Sequence, residues 1–109
     1  SIPIIKVLLP EGKRTLIIGM LKDKDFEASA KLIAPLFDEI FTVDIDSPRA
    51  LPKEELAKVM AKYCPKVCPM ALKDAYNMIE KGKTYVVAGS LYMAGEFLDL
   101  NAKYHKVHL

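Results

Sequence analysis

The sequence predicts an α/β fold, Rossmann-like, in which a mostly parallel sheet is flanked by helices on both faces. Apolar runs rich in β-branched residues alternate along the chain with stretches of helical periodicity. The connections between them are short, and strand–helix–strand units of that kind form parallel strands joined by crossover helices. With 109 residues, of which 51% are hydrophobic, the chain is long enough for one packed domain.

The first strand–helix unit occupies residues 15–37. Thr15–Met20 ("TLIIGM") has the pattern of a buried strand, and Phe26–Phe37 has the periodicity of a helix. Asp25 can cap this helix, and Pro35 is expected to end or bend it. The apolar face of the helix consists of Phe26, Ala30, Ile33 and Phe37.

Two further units follow. Ile40–Ile45 ("IFTVDI") is predicted as the second strand, and Pro52 suits the first turn of the helix after it. That helix has one apolar stripe, which consists of Leu56, Val59, Met60 and Tyr63. The third strand has only "PKVC" available between Tyr63 and Met70, and two prolines bracket it, so it must be very short.

The last units lie between residues 70 and 100. Met70–Lys81 is predicted as a helix that Gly82 stops, and Thr84–Ala88 as the fourth strand. A final helix is expected from Leu91 to about Leu100. The apolar side of the first of these helices is formed by Leu72, Ala75, Tyr76 and Ile79. Four residues are expected in the core and not at a cofactor: Met60, Met70, Met78 and Tyr76.

The front of the chain departs from this alternation. Ile2–Leu9 has the pattern of a short helix with no strand ahead of it. Because parallel α/β units normally begin with a strand, we expect the domain to lack its first strand.

Composition argues against two classes of partner. The net charge of +2 arises from 16 basic and 14 acidic residues scattered along the chain, whereas binding to nucleic acid needs a concentrated basic face. No apolar run approaches the about 20 residues of a membrane span, and the first residues do not have the layout of a signal peptide. We therefore expect a cytoplasmic protein without nucleic acid or membrane partners, with Cys64 and Cys68 as thiols.

Three loops are predicted to converge on one edge of the sheet. They are "GMLKDKD" after the first strand, "DIDSPR" after the second and "GSLY" after the fourth. The carboxyl ends of parallel strands share one edge, and ligands bind there. The loops bring together Lys22, Lys24, Arg49 and the hydroxyl of Ser90, with backbone amides at a helix start. This edge is therefore predicted to bind an anion.

Asp44-Ile45-Asp46 has two competing interpretations. Paired carboxylates at the end of an apolar strand could hold Mg²⁺ or accept a phosphoryl group, as in receiver domains. The alternative is turn and cap chemistry around Ser47-Pro48. A receiver would also need a lysine after a later strand, which this chain does not have.

Two other motifs match known sites only loosely. Four soft ligands for zinc are available, but with loose spacing: Cys64, Cys68, His105 and His108. Gly82-Lys83-Thr84 mimics the end of a phosphate-binding P-loop, but Asn77 stands where that motif needs a glycine. The triplet also precedes a strand, whereas a P-loop opens a helix. Neither a bound metal nor a triphosphate is therefore expected in this chain, and no set of catalytic residues is present.

Three stretches together resemble a known family: "GMLKDKDFEASAKLIAPLFD", "SPRALPKEELAK" and "VVAGSLYMAGEFL". They resemble the C-terminal domain of bacterial folylpolyglutamate synthase, including the bifunctional dihydrofolate synthase form, in the Mur ligase superfamily. The resemblance covers most of the chain from Thr15 to Leu98. It implies an ATP-dependent ligase that adds L-glutamate to the γ-carboxyl of a folate. In such enzymes ATP and Mg²⁺ convert the carboxylate to an acyl phosphate, and the glutamate amine then displaces phosphate.

The resemblance also implies roles for individual residues. Lys24 falls where eukaryotic relatives have an arginine associated with glutamate binding, so it is the best candidate to bind a carboxylate. Ser90, in the Gly-Ser-Leu-Tyr motif, is expected to donate a hydrogen bond to the substrate. Arg49, in Ser-Pro-Arg, is a weaker candidate for substrate binding, and Lys22 belongs to the same edge.

The chain also departs from the family. The Asp-Gly-Ala-His-Asn segment, whose aspartate and histidine contact nucleotide and glutamate, would end almost at Ser1, and the P-loop domain is not in this sequence. The resemblance therefore implies that residues 1–109 are one C-terminal domain of a larger two-domain ligase. ATP and Mg²⁺ would be bound mainly by the N-terminal P-loop domain of the same polypeptide, and the isolated chain would be inactive. The alternative is a free-standing ligand-binding or regulatory module that kept the fold without catalysis.

Overall fold

The computed structural model describes residues 12–89 and 91–108, which form a four-stranded sheet in the order β3-β2-β1-β4. The strands are β1 (Arg14–Ile18), β2 (Glu39–Thr42), β3 (Val67–Pro69) and β4 (Thr84–Ala88). All three strand pairs are parallel, with Ile17 opposite Phe41 on one side and Val87 on the other. The predicted Rossmann-like α/β fold is confirmed. The predicted helix at Ile2–Leu9 lies outside the described residues, so the expected loss of a first strand stays a prediction.

Four helices connect and cover these strands. They are α1 (Phe26–Ile33), α2 (Lys53–Met60), α3 (Leu72–Asn77) and α4 (Leu91–Tyr104), and a short 3₁₀ turn, Ala34–Leu36, extends α1. The Asp25 side chain accepts a hydrogen bond from Ala28 N at 3.1 Å and so caps α1, as predicted. Pro35 lies in the 3₁₀ turn, so the α-helix ends just before it.

Two separate cores confirm that helices cover both faces of the sheet. Alternate residues of β1 point to opposite faces, so Leu16 and Ile18 lie in one core and Ile17 in the other. The first core joins the sheet to α1 and α2 and includes Ala30, Ile40, Leu56 and Met60. The second core joins the sheet to α3 and α4 and includes Phe41, Val43, Tyr76, Met93 and Phe97. Among the described residues, no helix is long and apolar enough to cross a membrane.

The helix predicted over Met70–Lys81 is shorter than expected. It ends at Asn77, and Gly82, with φ of 82°, lies in the turn before β4 and does not stop the helix. Tyr85 gives the physical reason, because its hydroxyl donates to Met78 O at 3.2 Å and accepts from Glu80 N at 3.1 Å. The Tyr85 hydroxyl thus occupies the carbonyl of Met78 and the N–H of Glu80, which would otherwise form the next hydrogen bonds of α3.

Two other expectations about this part of the chain were wrong. Met78 is 48% exposed and is not a core residue. The last helix runs four residues beyond Leu100, to Tyr104. The extra turn is held by contact between the aromatic rings of Tyr104 and Tyr76, whose centroids lie 6.3 Å apart.

Candidate functional site: the carboxyl edge of β1 and β4

The carboxyl ends of β1 and β4 approach each other closely at two glycines. Gly19 N donates a hydrogen bond to Ala88 O at 3.2 Å. A Cβ at Gly19 would lie 2.9 Å from Ile45 Cγ1 and 3.0 Å from the oxygen of Val43, and a Cβ at Gly89 would lie 3.1 Å from Gly19 O. Neither position has room for a side chain, so the backbone itself forms the floor of this edge.

A cavity of about 210 Å³ opens at this junction. Its lining consists of Ile18, Gly19, Met20, Leu21, Lys24 and Gly89. Lys24 is exposed and is the charged side chain of this lining. The structure therefore places Lys24 beside the residue that precedes Ser90, while Ser90 itself lies outside the described residues. A cation at the mouth of a mostly apolar cavity is suited to an anionic group.

Backbone contacts join the loops that follow β1 and β2. Leu21 and Ala50 form an isolated antiparallel bridge, and Lys22 N donates to Arg49 O at 2.8 Å. Leu51 N donates to Met20 O at 2.9 Å. The expected approach of these two loops is therefore present, and it fixes the backbone from which Lys24 extends.

The three basic residues of these loops differ in their partners. The Arg49 guanidinium forms an ion pair with Asp23, with Nη2 3.0 Å from Oδ2. Within residues 12–89 and 91–108, neither Lys22 nor Lys24 forms an ion pair. Sequence reasoning did not find the pairing of Arg49 with Asp23, because the two residues are 26 positions apart. Of the three cations, only Lys24 also lines the cavity.

Asp44 has a structural partner at the start of α2. Its carboxylate accepts hydrogen bonds from Lys53 N at 2.8 Å and from Lys53 Nζ at 2.9 Å. Partial burial raises the pKa of Asp44, but the two hydrogen bonds from Lys53 outweigh it and hold the pKa below its ordinary value. Asp44 therefore satisfies the backbone N–H of the first residue of α2 and pairs with its side chain, which is a structural role for this carboxylate.

The other candidate motifs do not assemble into sites in the part of the chain that the structure describes. No group of three or more His, Cys, Asp or Glu residues there is placed to hold a metal ion. Cys64 and Cys68 are free thiols, and burial raises the pKa of Cys64, which lies in the core. Gly82-Lys83-Thr84 forms the turn into β4 and opens no helix. This triplet therefore does not have the strand–loop–helix order of a P-loop.

Comparison with known proteins found solved structures with a similar fold. No protein-family model and no curated protein sequence matches the chain. The chain is similar to E. coli FolC in complex with ADP, with 18% identity and a TM-score of 0.77, over 97% of this chain and 26% of that one. It is also similar to folylpolyglutamate synthase from Mycobacterium tuberculosis complexed with ADP, with 25% identity and a TM-score of 0.68, over 81% and 23% of the two chains.

A third match is folylpolyglutamate synthase from Thermotoga maritima, with 24% identity and a TM-score of 0.71, over 88% of this chain and 22% of that one. The chain thus spans about a quarter of the length of the enzymes that it matches. These matches confirm, at the level of the fold, the resemblance to the C-terminal domain that the motifs predicted.

Proposed function

We propose that this chain is the C-terminal domain of a folylpolyglutamate synthase, an ATP-dependent ligase that adds L-glutamate to the γ-carboxyl of a folate. ATP would convert that carboxylate to an acyl phosphate. The amine of glutamate then attacks the acyl carbon, so that a C–N bond forms, the C–O bond to phosphate breaks and phosphate leaves. The similar enzymes from E. coli and M. tuberculosis bind ADP, which supports the use of ATP.

The observation that carries this proposal is the position of Lys24 in the cavity between β1 and β4. In the proposal, the Lys24 ammonium binds a carboxylate of the incoming glutamate. Ser90, directly after the cavity residue Gly89, donates a hydrogen bond to the same substrate. Lys22 adds positive charge nearby, and Arg49 has the smaller role because Asp23 already holds its guanidinium.

The nucleotide and its metal belong elsewhere in this proposal. Because the described residues offer neither a phosphate-binding loop nor a metal cluster, ATP and Mg²⁺ are assigned to an N-terminal P-loop domain of the same polypeptide. The active site is then the cleft between the two domains, and movement of this domain closes it. Alone, the chain is expected neither to hydrolyse ATP nor to ligate glutamate.

Kinetics of the two-domain enzyme test the role of Lys24. We expect Lys24→Ala to raise the KM for glutamate by about tenfold or more and to leave the KM for ATP nearly unchanged, because one carboxylate loses a charge-assisted hydrogen bond. Lys31→Ala is the matched control, since Lys31 is an exposed lysine on α1 away from the cavity lining. Equal changes in both KM values would contradict the assignment of Lys24 to glutamate.

A further inference from the structure

The two glycines that form the floor of the Lys24 cavity share one neighbour, the side chain of Met93. Met93 lies in the first turn of α4 and is 1% exposed. A Cβ at Gly89 would lie 2.5 Å from Met93 Sδ, and a Cβ at Gly19 would lie 3.3 Å from the same atom. Because neither glycine has a side chain, the sulfur packs directly against the backbone of the floor.

Helix α4 holds Met93 in a fixed position. Glu96, three residues further along the same face of α4, accepts a hydrogen bond from Asp46 N at 3.1 Å. Five residues beyond Glu96, Asn101 Oδ1 accepts a hydrogen bond from the Tyr76 hydroxyl at 2.7 Å. These bonds join α4 to the loop after β2 and to α3. A buried side chain on a helix fixed in this way cannot shift without moving its neighbours.

The core that contains Met93 also anchors the loop that carries Lys24. Leu21 lines the cavity and packs against this core. The carbonyl oxygen of Leu21 accepts a hydrogen bond from Lys24 N at 3.3 Å. The floor and the loop thus depend on the packing of one core, and a change at Met93 is expected to alter the geometry of the cavity between them.

Met60 is a methionine of the same burial without these contacts. It ends α2, is fully buried and belongs to the core on the opposite face of the sheet. It does not line the cavity, and the atoms nearest to a Cβ at either glycine of the floor belong to other residues. Met60 and Met93 therefore have the same chemistry and burial and differ in their position relative to the floor.

We propose that Met93 is a positioning residue for the Lys24 cavity. Its thioether holds the backbone of Gly19 and Gly89 where a carboxylate bound by Lys24 fits against the floor, and it does not itself touch the substrate. Without the thioether, the floor would relax into the vacated volume and the carboxylate would lose its alignment with the ammonium. The inference rests on the proposed function for the identity of this carboxylate, and deepens it by assigning the residue that shapes its site.

Kinetics of the two-domain enzyme test this role. We expect Met93→Ala to raise the KM for glutamate by about tenfold and to change the KM for ATP by less than about twofold. Met93→Leu should stay within about twofold of the wild type, because leucine has a carbon at the δ position where methionine has its sulfur. Met60→Ala is the matched control and should change neither KM. An unchanged KM for glutamate in Met93→Ala, or an equal rise in Met60→Ala, overturns the inference.

Amide hydrogen exchange of the 109-residue chain gives a readout that does not need ligase activity. The Gly19 amide donates its hydrogen bond across the floor, whereas the Ile40 amide donates to Lys66 O on the other side of the sheet. We expect Met93→Ala to raise the exchange rate of Gly19 relative to that of Ile40 by about tenfold, and Met60→Ala to leave this ratio unchanged. An equal ratio in the two variants overturns the inference, because both would then act through global stability alone.

A second variant covers a failure to fold. Should Met93→Ala not fold, Met93→Val supplies the same comparisons, because valine ends one atom short of the sulfur position and leaves less empty volume. The outcomes also separate the inference from the proposed function. A two-domain protein that does not ligate glutamate, while the exchange of Gly19 responds to Met93 and not to Met60, refutes the proposed function and leaves the effect of Met93 on the cavity floor in place.

Discussion

The two edge strands of the sheet, β3 and β4, differ in length, composition and support. β3 has three residues and ends in Pro69, so it offers almost no outer ladder for another strand. The residue before it, Lys66, forms an ion pair with Glu39 of β2, with Nζ 2.9 Å from Oε2. β4 has five apolar or hydroxyl-bearing residues and is joined to β1 by close backbone contacts at Gly19 and Gly89.

The two edge strands are not equally open to further contacts. The β3 edge offers little for another strand to pair with, because β3 is short, ends in a proline and is preceded by an ion pair. The β4 side carries both the cavity of Lys24 and an outer edge open among the described residues. The cavity proposed for substrate binding therefore lies on the β4 side of the sheet and not on the β3 side.

The largest loss of stability is expected from adding a side chain at Gly19, where β1 and β4 lie in close contact. We expect Gly19→Ala to lower the free energy of unfolding by about 1–3 kcal/mol, because the new Cβ overpacks a junction bounded by backbone. The nearest atoms to that Cβ would be Ile45 Cγ1 at 2.9 Å and Val43 O at 3.0 Å, and a backbone oxygen cannot rotate away. Urea unfolding of both proteins measures the difference.

Gly95→Ala is the control for that variant. Gly95 lies within α4, and a Cβ there would meet no atom within 4 Å. Because alanine favours a helix over glycine by about 0.5–1 kcal/mol, the control should become more stable. The comparison would fail if both alanine variants changed stability in the same direction.

The sequence was sufficient for the order of the elements and for their bounds where local signals decide them. Asp25, Pro35 and the strand Thr84–Ala88 are examples, because capping, ring geometry and β-branched runs act on neighbouring residues. The early end of α3 was not predictable, since it depends on the hydroxyl of Tyr85 reaching Met78 and Glu80 from another element.

The candidate site was likewise predictable only in part from the sequence. The approach of the loops after β1 and β2 followed from parallel topology alone. The ion pair of Arg49 with Asp23 and the cavity that singles out Lys24 depend on side-chain placement, which no spacing rule gives. The role of Lys24 in binding glutamate stays a prediction, as does that of Ser90.

An intermediate loss of stability is expected when the hydrogen bonds that join Tyr76, Asn101 and Val107 are removed. The buried Tyr76 hydroxyl lies 2.7 Å from Asn101 Oδ1, and Asn101 Nδ2 donates to Val107 O at 2.7 Å. Asn101→Ala leaves these groups without their partners, and we expect a loss of about 1–2 kcal/mol in the free energy of unfolding. Asn77→Ala is the control, because Asn77 is exposed and its carbonyl contact to Lys106 does not use the side chain. Alanine favours a helix over asparagine, so helix propensity alone would stabilise both variants. Equal changes in the two variants would show that the hydrogen-bond network does not set the effect.

The smallest effect is expected at the β3 side, where an ion pair with one exposed partner supports the edge. Partial burial raises the pKa of Glu39, but the hydrogen bond and charge of Lys66 outweigh it and hold the pKa below its ordinary value. A carboxyl with a lowered pKa stabilises the fold above its unfolded pKa, and that contribution disappears as the pH falls through the folded value.

Lys66→Ala should therefore lower stability slightly near neutral pH, and the difference from the wild type should vanish as the pH falls through the lowered pKa of Glu39. Urea unfolding across that range measures it, with the exposed Lys58→Ala, outside any ion pair of the described residues, as control. A difference between wild type and Lys66→Ala that stayed constant into acid would show that the stem of Lys66, and not its charge, supports β3. The β3 edge would then depend on packing, as the β4 side does at Gly19, and the electrostatic part of the contrast between the two edges would be lost.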